Sequence, residues 1–324
     1  MRHTLRKLFD AGVGLVPPFL VTGFLKAFAT HPEFAERAGF QVYPRVFYNP
    51  FPDPAEVDVK KLREKRSLPG VDLDVTTAQE LLASLSKYSG ELEQFPRDPK
   101  NGSIVWNTTY PDYDTAALYT MIRHLKPKRY REIGCGYSSR VSTAAILRNR
   151  AEGFDCQAVY IEPYPRKDLV TADLAGEFIK KKVQEVPLQL FEELESGDML
   201  FIDTSHIIKV QNDVEYELIH ILPSLKVGVY VHIHDIFTPY DYPEELLVGN
   251  GTNRGANNEQ YALECLLSGG DDWETVLPLY FLWKDCRPCL NQLLVDAKDR
   301  PVAFYIRRKH FRSRTKPAAD RCAE

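Results

Sequence analysis

The stretch Arg131-Glu132-Ile133-Gly134-Cys135-Gly136-Tyr137-Ser138-Ser139 decides the fold of this chain. It follows a basic, strand-like approach from Lys126 to Arg131 and opens into a helix-like apolar run from Val141 to Leu147. A glycine-rich turn between a strand and a helix lets a ligand approach bare backbone at a positively polarised helix N-terminus. A dinucleotide-binding turn would place a third glycine where Ser139 stands, to bring helix and strand together beneath a pyrophosphate. Here an acid, Glu132, stands two residues before the first glycine. A carboxylate there repels a pyrophosphate and suits a cationic amino-acid moiety.

Thirty residues after Glu132, Val159-Tyr160-Ile161-Glu162 reads as a second strand ending in an acid. A carboxylate accepts two hydrogen bonds from a diol, so this position suits a ribose. The turn and the second acid together resemble the class I S-adenosylmethionine-dependent methyltransferases. That resemblance implies a Rossmann-like α/β fold whose mostly parallel sheet ends in an antiparallel strand. It further implies S-adenosylmethionine as cofactor, held by Glu132, Gly134, Gly136, Ser138, Ser139, Glu162 and Asp203.

Outward from the turn, strands and helices alternate, which predicts a parallel sheet. Strands are expected to end at Glu132, Glu162, near Glu185, at Asp203 and at His234, with helices from Asn212 to Leu222 and from Glu259 to Leu267. Stretches 275–280 and 302–306 supply the pair that closes the sheet. Upstream, a helix is expected from Thr76 to Tyr88 with a Thr-Thr-Ala-Gln cap signal, and another from Asp114 to Leu125. Residues 40–75 are a proline-punctuated connector. The expected division is an N-terminal helical and irregular extension over 1–100, a cofactor-binding domain over 101–310, and a basic disordered tail over 311–324.

A second constellation lies at the ends of the fourth and fifth strands: Asp203-Thr-Ser-His206 and His232-Ile-His234-Asp235. In a doubly wound sheet these ends are neighbours, so two carboxylates and several imidazoles gather beside the cofactor. Oxygen and nitrogen donors so gathered suit a divalent cation, magnesium where carboxylates and water dominate. His232 and His234 share a strand face, and Asp235 joins them only if the chain turns there. This part is similar to the metal-dependent macrolide-sugar O-methyltransferases and the cephalosporin hydroxylase-like proteins. The resemblance implies metal ligands at Asp203 and Asp235, a general base at His206, and His234 in place of that group's first acid. His232 reads better as a core residue, and His206 also suits the cap of the following helix. The loop from Thr238 to Arg254 reads as a lid, with Tyr240 and Tyr242 as acceptor contacts.

The 324 residues suffice for a sizeable core, and 44% hydrophobic and 27% charged content are ordinary for a globular protein. A net charge of -4 carries no nucleic-acid signature. The basic start, Met1 to Lys7, precedes an apolar run interrupted by Asp10, Pro17-Pro18 and Lys26, too broken for a membrane span. Leu5 to Phe34 is read as amphipathic helical pieces that dock on the body or on a partner chain, a second copy in a homo-oligomer being one such partner, with a peripheral membrane contact as the alternative. Six scattered cysteines fit a reducing, cytoplasmic setting, with Cys286 and Cys289 as two free thiols. The expected partner is a small-molecule acceptor such as a sugar or natural-product hydroxyl. Two other readings stand beside it: a metal-dependent hydrolase or oxygenase using His232, His234 and Asp235, and a non-catalytic cofactor-binding module.

Overall fold

The computed structural model describes residues 17–43, 49, 51–97, 105–107, 109–166, 174–247, 257–295, 297 and 299–310. The expectations for residues 1–16, for 248–254 of the loop and for the tail 311–324 lie outside these. The chain forms two compact units, Met1–Val57 and Asp58–Glu324. The expected boundary at residue 100 therefore falls inside the second unit, because the helix at residues 75–85 buries Ala78, Leu82 and Leu85 in the main core. The first unit carries α1 (Pro18–Thr30) and α2 (Pro32–Arg37), each begun by a proline at its first turn, where a missing N–H costs nothing. Among the described residues no helix is long and apolar enough to cross a membrane.

The second unit runs α3 (Val75–Leu85), α4 (Asp112–Leu125), β1 (Arg129–Ile133), α5 (Tyr137–Ala151), β2 (Gln157–Ile161), β3 (Gly176–Ile179), β4 (Met199–Ile202), α6 (Asp213–Tyr216), β5 (Tyr230–Ile233), α7 (Glu259–Ser268), β6 (Trp273–Pro278), α8 (Leu279–Asp285) and β7 (Phe304–Arg308). The strands form one sheet in the order β3-β2-β1-β4-β5-β7-β6. β7 runs antiparallel to both its neighbours, and the other pairs are parallel. The strand order reverses between β1 and β4, which opens a crevice at their carboxyl ends.

Three local expectations are corrected. The third strand is Gly176–Ile179, and Glu185 lies in a separate helical turn, Val183–Glu185. Its ladder with β2 ends at Ile179, and three lysines follow before Val183 and Val186 turn inward. The cap of α3 is Asp74, whose carboxylate accepts the N–H groups of Thr76 at 2.8 Å and Thr77 at 3.3 Å, so the helix starts earlier than its threonines suggest. It also ends at Leu85 and tightens into a three-residue-per-turn stretch, Ser86–Gln94. Cys286 and Cys289 are not free thiols but form a disulfide, because the turn into the helix Arg287–Leu290 brings their Cα atoms to 5.6 Å.

Side-chain alternation splits the core into two chemically different layers. Ile133, Val159, Ile161, Leu200, Ile202, Val231, Ile233 and Ile306 point to one face and pack on Leu218, Ile221 and Leu263 of the helical segments beneath. Tyr130, Tyr160, Phe201 and Tyr305 point to the other and pack on Ala117, Tyr119 and Ile122 of α4 and Val141 and Ala145 of α5. Glu132 and His232 fall on this aromatic face by the same alternation.

Candidate active site

Four residues at the carboxyl edge of the sheet stand at one level. Ile133 pairs with Ile161 on one side and Ile202 on the other, and Ile202 with Ile233. The next residues continue the ladder: Gly134 N–H donates to Ile161, Glu162 N–H to Ile179, Asp203 N–H to Ile133 and His234 N–H to Ile202. Register alone thus lines up Gly134, Glu162, Asp203 and His234.

The turn after β1 packs backbone against backbone. Gly134 has φ +82°, and a Cβ there would lie 1.7 Å from the Asp203 carbonyl oxygen. Only glycine satisfies both demands. A cleft of about 510 Å³ opens beside it, lined among others by Gly134, Glu162, Lys182, Gln184, Asp203 and Asn212. Glu162 is half-exposed to it, accepting the N–H of Cys135 at 3.3 Å and of Tyr164 at 2.6 Å. Each of its oxygens keeps lone pairs for a further donor. A backbone-lined turn, a facing carboxylate and a cleft spanning the switch point fit a nucleoside-containing cofactor, whose ribose Glu162 would hold.

Glu132, Ser138 and Ser139 are placed differently from expectation. Glu132 is fully buried beneath the turn and accepts hydroxyl hydrogen bonds from Tyr130 at 2.7 Å, Ser138 at 2.9 Å, Ser139 at 2.6 Å and Ser142 at 3.0 Å. Burial pushes its carboxyl up to about 7, although the four hydroxyls oppose the shift. Ser139 also accepts the Gly136 N–H at 3.1 Å. These residues therefore knit the turn to α5 rather than lining the cleft. The serines of α5 absorb both carboxylate oxygens that would otherwise reach a ligand.

On the far side of Asp203 lies a compact charged cluster. His206 Nε2 stands 3.1 Å from Asp203 and 3.2 Å from Asp235. His234 Nδ1 is 3.7 Å from each of the same carboxylates. The chain does turn after β5 as required, since Asp235 has φ +56°, and His206 has φ +57°. A left-handed backbone at two non-glycine residues costs energy and persists where surrounding contacts over-determine it. Burial disfavours charge on both imidazoles, but hydrogen bonds to Asp203 and Glu259 and the charge of Asp235 push His206 well above its ordinary value. His234 rises to about 9 against the same burial, through the charge of Asp203 and its contact with Asp114. Asp203 falls to about 2, its own burial outweighed by the two imidazoles. The cluster rests as imidazolium–carboxylate pairs.

Asp203, His234 and Asp235 do come together, but not as a cation cage. The facing carboxylate oxygens are closed on His206 Nε2, and among the described residues no group of three or more His, Cys, Asp or Glu is placed to hold a metal ion. The donor set as arranged does not fit the expected magnesium. His232 is a core residue, stacked at 4.2 Å on Phe201 and edge-on at 4.6 Å to Tyr305. Burial first and the His234 charge second hold it well below the usual imidazole value.

Tyr240 and Tyr242 do not face an acceptor. The Tyr240 hydroxyl donates to Asp285 at 2.8 Å, and the Tyr242 hydroxyl accepts the Gln260 N–H at 2.9 Å. Both pack with Phe237 and Tyr280 in a small aromatic core, so the near part of the presumed lid is fixed structure. The apolar area of these rings is better buried against one another than held open toward a ligand.

Sequence reasoning missed two acids. Asp114 is fully buried on α4, 3.3 Å from His234 Nε2, and accepts the N–H groups of Val302 and Ala303. Glu259, 1% exposed at the start of α7, meets His206 Nδ1 at 3.0 Å. The available signal for Asp114 was an acid on the apolar stripe of its helix; Glu259 carried none.

Residues 131–236 match the family model described as a methyltransferase domain. The match runs from β1 through β5 and includes the glycine turn, Glu162, Asp203, His206, His234 and Asp235. An uncharacterized protein of Archaeoglobus fulgidus is 29% identical over 166 residues, covering 48% of this chain and 74% of that protein. Among solved structures, a putative methyltransferase from Thermobifida fusca YX aligns over 73% of this chain and 95% of its own, at 14% identity and a TM-score of 0.39. A TDP-rhamnose 3'-O-methyltransferase of calicheamicin biosynthesis aligns over 75% and 99%, at 13% identity and a TM-score of 0.38. The protein cmcI with Mg and SAM aligns over 63% and 75%, at 17% identity and a TM-score of 0.34.

Proposed function

We propose that this chain transfers the methyl group of S-adenosylmethionine to a hydroxyl of a small-molecule acceptor, a sugar or natural product. One observation carries the reading: Asp203 belongs both to the cofactor cleft and to the charged cluster. Methyl donor and proton-handling groups therefore meet at one residue. When bound, the cofactor supplies a methyl carried on a sulfonium. The protein must align the acceptor and remove its proton. Glu162 and the Gly134 turn hold the cofactor's nucleoside side, and the edge between Asp203 and Asp235 receives the acceptor hydroxyl.

His206 is the group placed to take the proton, with one qualification to its role as simple base. It rests with both ring nitrogens engaged, so it first passes the Nε2 proton to Asp203 or Asp235 and then accepts the hydroxyl proton. The net result is one proton moved from acceptor to cluster for each methyl transferred.

Calorimetry with S-adenosylhomocysteine tests the cofactor half, and saturable binding weakened by Glu162→Ala is expected. Release of S-adenosylhomocysteine over a panel of sugar and phenol hydroxyls, with and without His206→Ala, tests the acceptor half. Absence of binding would overturn the reading outright. Binding without turnover on any hydroxyl would leave a cofactor-binding module. Because His206 already bridges the carboxylates, turnover should survive chelation; loss in chelator with recovery in magnesium would reinstate the cation.

A further inference from the structure

The loop that carries His206 is gripped from two helix ends. On one side Ser205 bonds Asp213 through its N–H at 3.0 Å and its hydroxyl at 2.6 Å, and Thr204 donates to Glu217 at 3.1 Å. On the other, the His206 carbonyl accepts the N–H groups of Asn258 at 3.0 Å and Glu259 at 3.3 Å, and Ile208 N–H donates to the Asn258 side chain at 2.6 Å. These contacts hold the main chain in its left-handed turn. Of the gripping residues, Glu259 also reaches the ring.

Glu259 is almost fully buried, and one of its carboxylate oxygens lies 3.0 Å from His206 Nδ1. The other oxygen has no hydrogen-bond partner among the described residues. An imidazole free to flip could present either nitrogen to the acceptor. A buried carboxylate on Nδ1 keeps the proton there when Nε2 gives up its own, and so leaves Nε2 as the nitrogen that accepts from the acceptor. Nε2 is the nitrogen that stands between Asp203 and Asp235.

We propose that Glu259 is a positioning residue for proton removal: it acts through His206, fixing Nδ1 as the protonated nitrogen so that Nε2 faces the acceptor. The inference rests on the methyl-transfer reading of the site. Glu259 itself touches neither cofactor nor acceptor. The arrangement parallels, on the other histidine, the contact of Asp114 with His234 Nε2. There the acid comes from α4 on the opposite face of the sheet, so the two rings are fixed independently.

The test is nitrogen-resolved NMR on protein labelled at histidine, with the His206 signals assigned by loss in His206→Gln. In the unaltered protein Nδ1 of His206 should carry its proton and exchange slowly. In Glu259→Gln the Nδ1 signal should shift and broaden, while S-adenosylhomocysteine affinity stays within about twofold. Turnover on any acceptor found should fall by about 10- to 100-fold, the usual effect of losing a group that orients a functional side chain, with acceptor KM little changed. Glu259→Asp should restore part of the rate; equal losses in both variants, with cofactor affinity falling in parallel, would mark a merely structural role and overturn the proposal. An Nδ1 found bare in the unaltered protein would overturn it even if the variants fail to fold. Failure of S-adenosylhomocysteine to bind would instead remove the methyl-transfer reading, leaving the NMR result to stand or fall by itself.

Discussion

The two faces of the sheet do different work. The aliphatic face, built of Ile133, Val159, Ile161, Leu200, Ile202, Val231 and Ile233, packs on α6 and α7, and its fully buried polar side chain, Arg131, donates to the carbonyls of Leu190 and Gln157. The aromatic face interleaves rings with buried polar groups: Glu132 beneath Tyr130, His232 between Phe201 and Tyr305, and His234 stacked on Tyr110 at 5.0 Å. Stability is concentrated where area is buried without hydrogen-bond obligations. Function is concentrated where buried polar groups need specific partners, and those partners come from other elements. The comparison teaches that the site is the polar continuation of one core layer.

The sharpest way to break this division is at the edge both faces share. Gly134→Val adds a side chain into the Asp203 carbonyl at a positive φ. Strain and overpacking together should cost at least about 3 kcal/mol in denaturant unfolding and abolish S-adenosylhomocysteine binding by calorimetry. Retained binding would mean the turn can be rebuilt and is not set by backbone contact.

On the polar face, Asp114→Ala strips His234 of its buried carboxylate and leaves the Val302 and Ala303 N–H groups unpaired. Breaking a buried pair from one side typically costs about 3 kcal/mol, readable as a lower urea midpoint. An unchanged midpoint would show that His234 does not depend on α4.

Glu132 gives a pH-dependent version of the same test. Its folded value near 7 lies above the unfolded 4.5, so the folded chain holds the proton longer. Stability therefore falls as pH rises through that interval and levels off above it, by up to about 3 kcal/mol. Glu132→Gln should flatten the melting-temperature profile between those two values. A wild-type profile already flat there would show that the four hydroxyls fully offset the burial.

The smallest effect belongs to the aliphatic face. Ile202→Val should cost about 1 kcal/mol and leave S-adenosylhomocysteine affinity unchanged, although residue 202 directly precedes Asp203. A loss of affinity would erase the division between the layers.

Much of the architecture was legible in the chain. Four of the first five strand ends, the closing antiparallel pair and the helices around residues 112–125, 213–224 and 259–268 follow from periodicity and turn residues, which are local signals. The third strand was displaced because a short edge strand followed by lysines has little pattern to read. Within the site, the meeting of Asp203, His206, His234 and Asp235 was foreseeable from strand adjacency alone. That the carboxylates close on an imidazole rather than around a cation was not, because donor orientation depends on side-chain packing.

The sequence by itself determined the strand–turn–helix junction and the run of acids at strand ends. Those features are encoded over a few residues by backbone freedom and alternation. Only the tertiary structure decided that Glu132 is consumed by serines and a tyrosine, that Tyr240 and Tyr242 are core, and that Asp114 and Glu259 hold the histidines. Each of those facts is a contact between chemical groups, most of them on different elements, and burial rather than local pattern settles which polar groups must satisfy one another.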